Sequence, residues 1–70
     1  EVKHFFDENE KWLAAVLEEG RKAGNLGFKG PAVDLARVIV GTLEGAMMLA
    51  RSYGDPERFD TVAERLIASL

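Results

Sequence analysis

The stretch Leu35-Ala36-Arg37-Val38-Ile39-Val40-Gly41-Thr42-Leu43-Glu44-Gly45-Ala46-Met47-Met48-Leu49-Ala50-Arg51-Ser52-Tyr53 decides how this chain folds. Its apolar residues return at helical intervals instead of alternating, so it reads as an α-helix and not as a strand. On a helical wheel Leu35, Val38, Ile39, Val40, Leu43, Ala46, Met47, Leu49, Ala50 and Tyr53 cover an arc of roughly 200°, about twice the stripe that one packed face requires. The rest of the circumference is not simply charged, because Gly41, Gly45, Met48 and Ser52 share it with Asp34, Arg37, Glu44 and Arg51. A glycine inside a helix costs about 1 kcal/mol relative to alanine. Gly41 and Gly45 therefore call for a packing reason, and the close approach of another backbone supplies one.

Glycine and proline punctuate the chain on both sides of this helix. Pro31 suits a first helical position, where its missing N–H is not needed, and Gly54 suits the end. Asp55 and Pro56 then read as N-cap and first residue of a third helix. That helix carries Phe59, Val62, Ala63, Leu66, Ile67 and Leu70 at the spacing of an amphipathic stripe, with Asp60, Thr61, Glu64 and Arg65 turned outward. Upstream, Val2, Phe5, Phe6, Trp12, Leu13, Val16 and Leu17 mark one face of a first helix from about Val2 to Ala23. On its charged side Asp7 and Lys11, and Glu18 and Lys22, stand four apart in the favourable acid-first order. Gly24, Asn25 and Gly27 supply the left-handed turns of the connector, under which Leu26 and Phe28 tuck. The expected architecture is all-α: three antiparallel helices, the last two pairing with those of a second copy as a four-helix bundle.

Size and composition push the same way. A chain of 70 residues buries only about 60% of its unfolded surface when it folds alone, so it normally needs a disulfide, a metal or a partner. Cysteine is absent and His4 is the only histidine, which leaves association. The simpler alternative is a monomer in which the outer helices alone wrap the central one. Leaving three or four large aliphatic side chains uncovered would forfeit about 1.5 to 3 kcal/mol each, a large share of a small domain's stability. The net charge of −3 is spread without a basic cluster, which argues against direct contact with nucleic acid. Arg37, Glu44 and Arg51 interrupt the most apolar stretch, so no membrane span is expected. The start at Glu1, with helical pattern from the second residue, suggests a piece of a larger protein.

Trp12-Leu13 and Val16-Leu17 are followed by Gly20, Gly24, Leu26 and Phe28. Leu43-Glu44-Gly45-Ala46, Leu49-Ala50-Arg51, Gly54-Asp55 and Phe59 come next. This succession, over essentially the whole chain, resembles the last three helices of TetR-family transcriptional regulators. The resemblance implies a homodimeric, cytoplasmic repressor whose last two long helices form the dimeric bundle. It also implies a small-molecule inducer bound in the C-terminal helical domain and operator DNA bound by an N-terminal helix-turn-helix domain. No such DNA-binding module lies within these residues. Relatives that sense electrophiles do so through cysteine, which is absent here. A different class of reading is a stand-alone helical adaptor that homodimerises and recruits proteins without a ligand.

No catalytic or cofactor chemistry is expected. His4 falls on a polar face with no nucleophile or carboxylate spaced to it as a triad. Asp7-Glu8-Asn9-Glu10 lacks the alternating ligands and glycine of a calcium loop. Asn9 is more pointed, because it falls between Phe5, Trp12 and Val16 on the wheel, and an amide there needs a partner. Phe5, Asn9, Trp12 and Val16 are the candidate lining of part of an inducer pocket; the alternative is that Trp12 is core and Asn9 bonds to backbone or water. The candidate dimer interface is Val38, Gly41, Thr42, Gly45, Met48, Leu49 and Ser52 on the central helix, with Phe59, Val62 and Leu66 on the third. Arg37, Glu44 and Arg51, spaced by seven, form either a register-setting stripe across a two-fold axis or an exposed intrahelical stripe of little consequence.

Overall fold

The computed structural model describes residues Glu1–Leu70 and contains three α-helices: α1, Val2–Lys22; α2, Ala32–Tyr53; and α3, Pro56–Ala68. The domain is all-α, with helix packed on helix. It divides into two compact units, Glu1–Val40 and Gly41–Leu70, so α2 gives its first half to one and its second half to the other.

In the first unit, α1 starts where the Glu1 carboxylate accepts the His4 backbone N–H at 3.2 Å. It ends at Gly24, whose φ of 80° lies where only glycine is comfortable. There the Gly24 N–H returns to the Arg21 carbonyl and the Asn25 N–H to the Gly20 carbonyl, at 3.1 and 2.9 Å. Both bonds satisfy carbonyls that the helix end leaves without partners. Leu26 then folds back over Gly20 so closely that a Cβ at Gly20 would lie 2.7 Å from the Leu26 Cδ1. This is the tuck expected of Leu26, and it explains a glycine in the last turns of α1. The second left-handed residue of the connector is Gly30 (φ 85°) instead of Gly27. Pro31 stands one position outside α2, its carbonyl accepting the N–H groups of Asp34 and Leu35.

Arg21 clips this connector. Its guanidinium donates twice to the Glu18 carboxylate, at 2.7 and 3.2 Å, and once to the Gly30 carbonyl at 2.7 Å, while lying 4.3 Å from the centre of the Phe28 ring. The ion pairs of α1 are thus three apart, Glu18 with Arg21 and Glu8 with Lys11 at 3.9 Å, and not the four-apart pairs read from the sequence. The planar fork of arginine takes both carboxylate oxygens, which the single ammonium of Lys22 cannot do. The buried residues of this unit are Leu17 from α1 and Ala32, Ala36 and Ile39 from α2.

In the second unit the corner follows the sequence closely. Gly54 is left-handed (φ 59°), and the N–H groups of Gly54 and Asp55 return to the carbonyls of Arg51 and Ala50. Asp55 caps α3 by accepting the Glu57 N–H at 3.1 Å, and Pro56 opens the helix. Arg58 sits 3.7 Å from the Asp55 carboxylate and 3.8 Å from the centre of the Tyr53 ring, bracing the turn from one side. Ala46 is the one buried residue here, and no large side chain of the whole chain is fully enclosed.

The hydrogen bonds from Arg21 hold the Glu18 carboxyl below its ordinary value of 4.5, the charges of Arg21 and Lys22 adding to the effect and desolvation opposing it. A pKa lowered in the folded state means that this stabilisation is fully present above pH 4.5 and disappears as pH falls through the lowered value. In an NMR titration Glu18 should therefore titrate below 4.5. Arg21→Met should return it towards 4.5; an unchanged titration would show that the clip is not formed in solution.

Candidate functional site

The apolar positions of α1 divide into two stripes. Phe6, Leu13 and Leu17 turn inward, Leu17 being 3% exposed, whereas Val2, Phe5, Trp12 and Val16 stay open, Trp12 being 67% exposed. The wheel placed all seven on one face; the two stripes lie about 100° apart, and the neighbouring elements cover only the first. Phe5, Asn9, Trp12 and Val16 do share one face, so the structure brings together the four residues assigned to an inducer pocket. They form an open surface and enclose no cavity. The Asn9 amide donates to the Phe5 carbonyl at 2.7 Å, the backbone bond expected if Asn9 merely satisfies itself. Trp12, however, is no core residue. Beside this face Glu10, which the sequence did not single out, meets Arg37 of α2 at 3.6 Å.

The second surface lies on α2. Ala36, Ile39, Leu43, Ala46 and Ala50 form its covered side. Opposite them Met48 is 68% exposed, Val38 and Leu49 are exposed at the flank, and Tyr53 is exposed where the helix ends. Between these side chains run Gly41 and Gly45, and a Cβ built on either glycine would meet no atom within 4 Å. Within Gly41–Leu70 nothing approaches them, so the packing reason expected for these glycines is not supplied by α3.

Of the candidate interface residues, Val38, Gly41, Met48, Leu49 and Ser52 are exposed, while Thr42 and Gly45 are half-buried. Phe59, Val62 and Leu66 of α3 are also half-buried, and the exposed apolar side chain of α3 is Ile67, at 68%. Ile67 belongs to the apolar pattern of the sequence but was not assigned to the interface; its pattern alone gives no sign that it points away from α2. Leu49 and Val62 line an open groove of about 350 Å³ together with Ala46, Asp55, Glu57, Arg58 and Thr61.

Arg37, Glu44 and Arg51 lie along one edge of the open face, and Asp34 lies between its edges in the first turn of α2. Arg37 is engaged by Glu10, but Glu44 and Arg51 form no ion pair. No group of three or more His, Cys, Asp or Glu side chains is placed to hold a metal ion, and no helix is long and apolar enough to cross a membrane. Compared with known proteins, the chain matches no protein-family model, no curated protein and no solved structure.

The two stripes of α1 have different energetic weight. Leu17→Ala should lower stability by roughly 2 to 5 kcal/mol, the cost of emptying a buried site. Trp12→Ala should change it by no more than about 0.5 kcal/mol, as for a surface position. Urea unfolding of both variants checks this, and a Trp12→Ala loss as large as that of Leu17→Ala would place Trp12 in a core.

Proposed function

We propose that this chain is the homodimerisation segment of a TetR-like transcriptional repressor, with α1 contributing part of the effector-binding surface. The observation that carries the proposal is the open face of α2, where Gly41 and Gly45 meet no atom within 4 Å and Val38, Met48 and Leu49 stand exposed beside them. Glycines that weaken a helix without being contacted inside the chain are accounted for by a helix from outside it. Burial of each large side chain at that contact contributes about 1.5 to 3 kcal/mol.

Val38, Met48 and Leu49 are each more than half exposed, so a partner on this face covers apolar surface that the chain itself leaves open. A second copy is the occupant that requires no further component, and α2 and α3 of two chains form the four-helix bundle by which they associate.

The resemblance to TetR-family regulators supplies the larger setting. In that setting the DNA-binding module lies outside these residues, and other helices close the effector pocket over Phe5, Asn9, Trp12 and Val16. The open stripe on α1 supports this assignment, because its aromatic side chains and the Asn9 amide form a mixed apolar and polar wall of the kind that small molecules use.

Alanine at the two glycines separates a dimer from a monomer by the sign of its effect. In a monomer Gly41→Ala and Gly45→Ala should each stabilise α2, by up to about 1 kcal/mol. In the dimer the added methyl groups hold the second helix away, so light scattering should show a weaker dimer even as each chain becomes more helical. A wild-type chain that remains monomeric at high micromolar concentration would overturn the dimerisation reading.

A further inference from the structure

The open face of α2 has two unlike edges. Along one edge lie Glu44 and Arg51, and along the other Val38 and Leu49, with Gly41, Gly45, Met48 and Ser52 between them. This rests on the homodimer reading above, and it specifies how the two copies meet. A two-fold axis parallel to α2 sets the charged edge of one copy on the apolar edge of the other. A two-fold axis perpendicular to α2 keeps each edge on its own side, so charged edge meets charged edge and apolar edge meets apolar edge. Only the perpendicular axis, which makes the two helices antiparallel, avoids burying a charge against aliphatic side chains.

The charges then select the register. Arg37 already has its carboxylate in Glu10, at 3.6 Å, whereas Glu44 and Arg51 have no partner within the chain. They stand seven residues apart, each about 5 Å along the helix from the point between Met47 and Met48. We infer that two copies pack α2 against α2 in antiparallel fashion about a two-fold axis passing between Met47 and Met48. Glu44 of each copy then pairs with the partner's Arg51. The symmetry makes the arrangement reciprocal, so one register satisfies four charges at once. A shallow concavity of about 240 Å³, lined by Glu44, Met47, Met48, Arg51 and Ser52, lies at this point and receives the flexible methionine of the other copy.

Exposed pairs of this kind fix partner and register more than they add affinity. Their reversal is informative because it substitutes repulsion for attraction. Glu44→Arg places four positive charges along the shared edge, and Arg51→Glu places four negative ones. Each variant alone should associate at least about tenfold more weakly than the wild-type chain. Mixed in equal amounts, the two should recover wild-type association as a heterodimer. In that pair both cations of the Glu44→Arg chain face the two carboxylates of the Arg51→Glu chain, and attraction is restored at each contact. Circular dichroism should show that both variants keep their helices, as expected of exposed positions.

The chain has no cysteine, so a single introduced thiol reports the axis directly. Met48→Cys should form a disulfide-linked dimer on mild oxidation. Gly41→Cys should not; it would do so if Arg37 paired with Glu44 and moved the axis to Gly41. A dimeric wild type whose single reversals associate normally, or whose mixture shows no recovery, overturns this register and leaves the dimer standing. A monomeric wild type overturns both.

Discussion

The circumference of α2 is the constraint on which this structure turns. A helix with apolar residues over more than half its surface is buried only when neighbours surround it, and this chain provides neighbours for one side. Ala36, Ile39 and Ala46 are covered, and they are too small or too few to represent a complete core. Large side chains such as Met48 and Tyr53 remain in contact with solvent. Because the stability of a small domain is the slight excess of burial over chain entropy, an uncovered half of the central helix governs everything else. It sets which side of the helix α1 and α3 leave open, and the proposed second copy rests on that open side.

Local signals specified the helices and corners because each has a short-range cause. Gly54, Asp55 and Pro56 each act on bonds within a few residues, and the corner forms as their chemistry requires. The same holds for Gly24 at the end of α1. The connector was less legible. Gly30, and not Gly27, takes the second left-handed conformation, because the turn is organised by Arg21 reaching across nine residues to the Gly30 carbonyl. No helical spacing announces a bond of that range.

The faces were legible only in part, for a related reason. A helical wheel tells which residues share a side but not where the neighbours stand, so it merged the inner stripe of α1, Phe6, Leu13 and Leu17, with the outer one of Phe5, Trp12 and Val16. Residues on α2 fared better, since Gly41 and Gly45, which lie outside the apolar arc, marked the open side independently of any neighbour, whereas most of the arc itself is covered. On α3 the pattern gave no means of separating half-buried Phe59, Val62 and Leu66 from exposed Ile67. Glu10 escaped notice because its partner, Arg37, lies on another helix.

The two glycine corners have a kinetic consequence. Both are closed by bonds between residues three to six apart, so each helix junction forms with little loss of loop entropy and without waiting for distant segments. Helices and turns of this type arise within microseconds, whereas two chains at low concentration must first diffuse together. If two copies associate as proposed, each newly synthesised chain reaches a helical, half-covered state well before it meets another. How long each lingers there, exposed to proteases and to unrelated sticky surfaces, is governed by abundance in solution more than by the speed of folding.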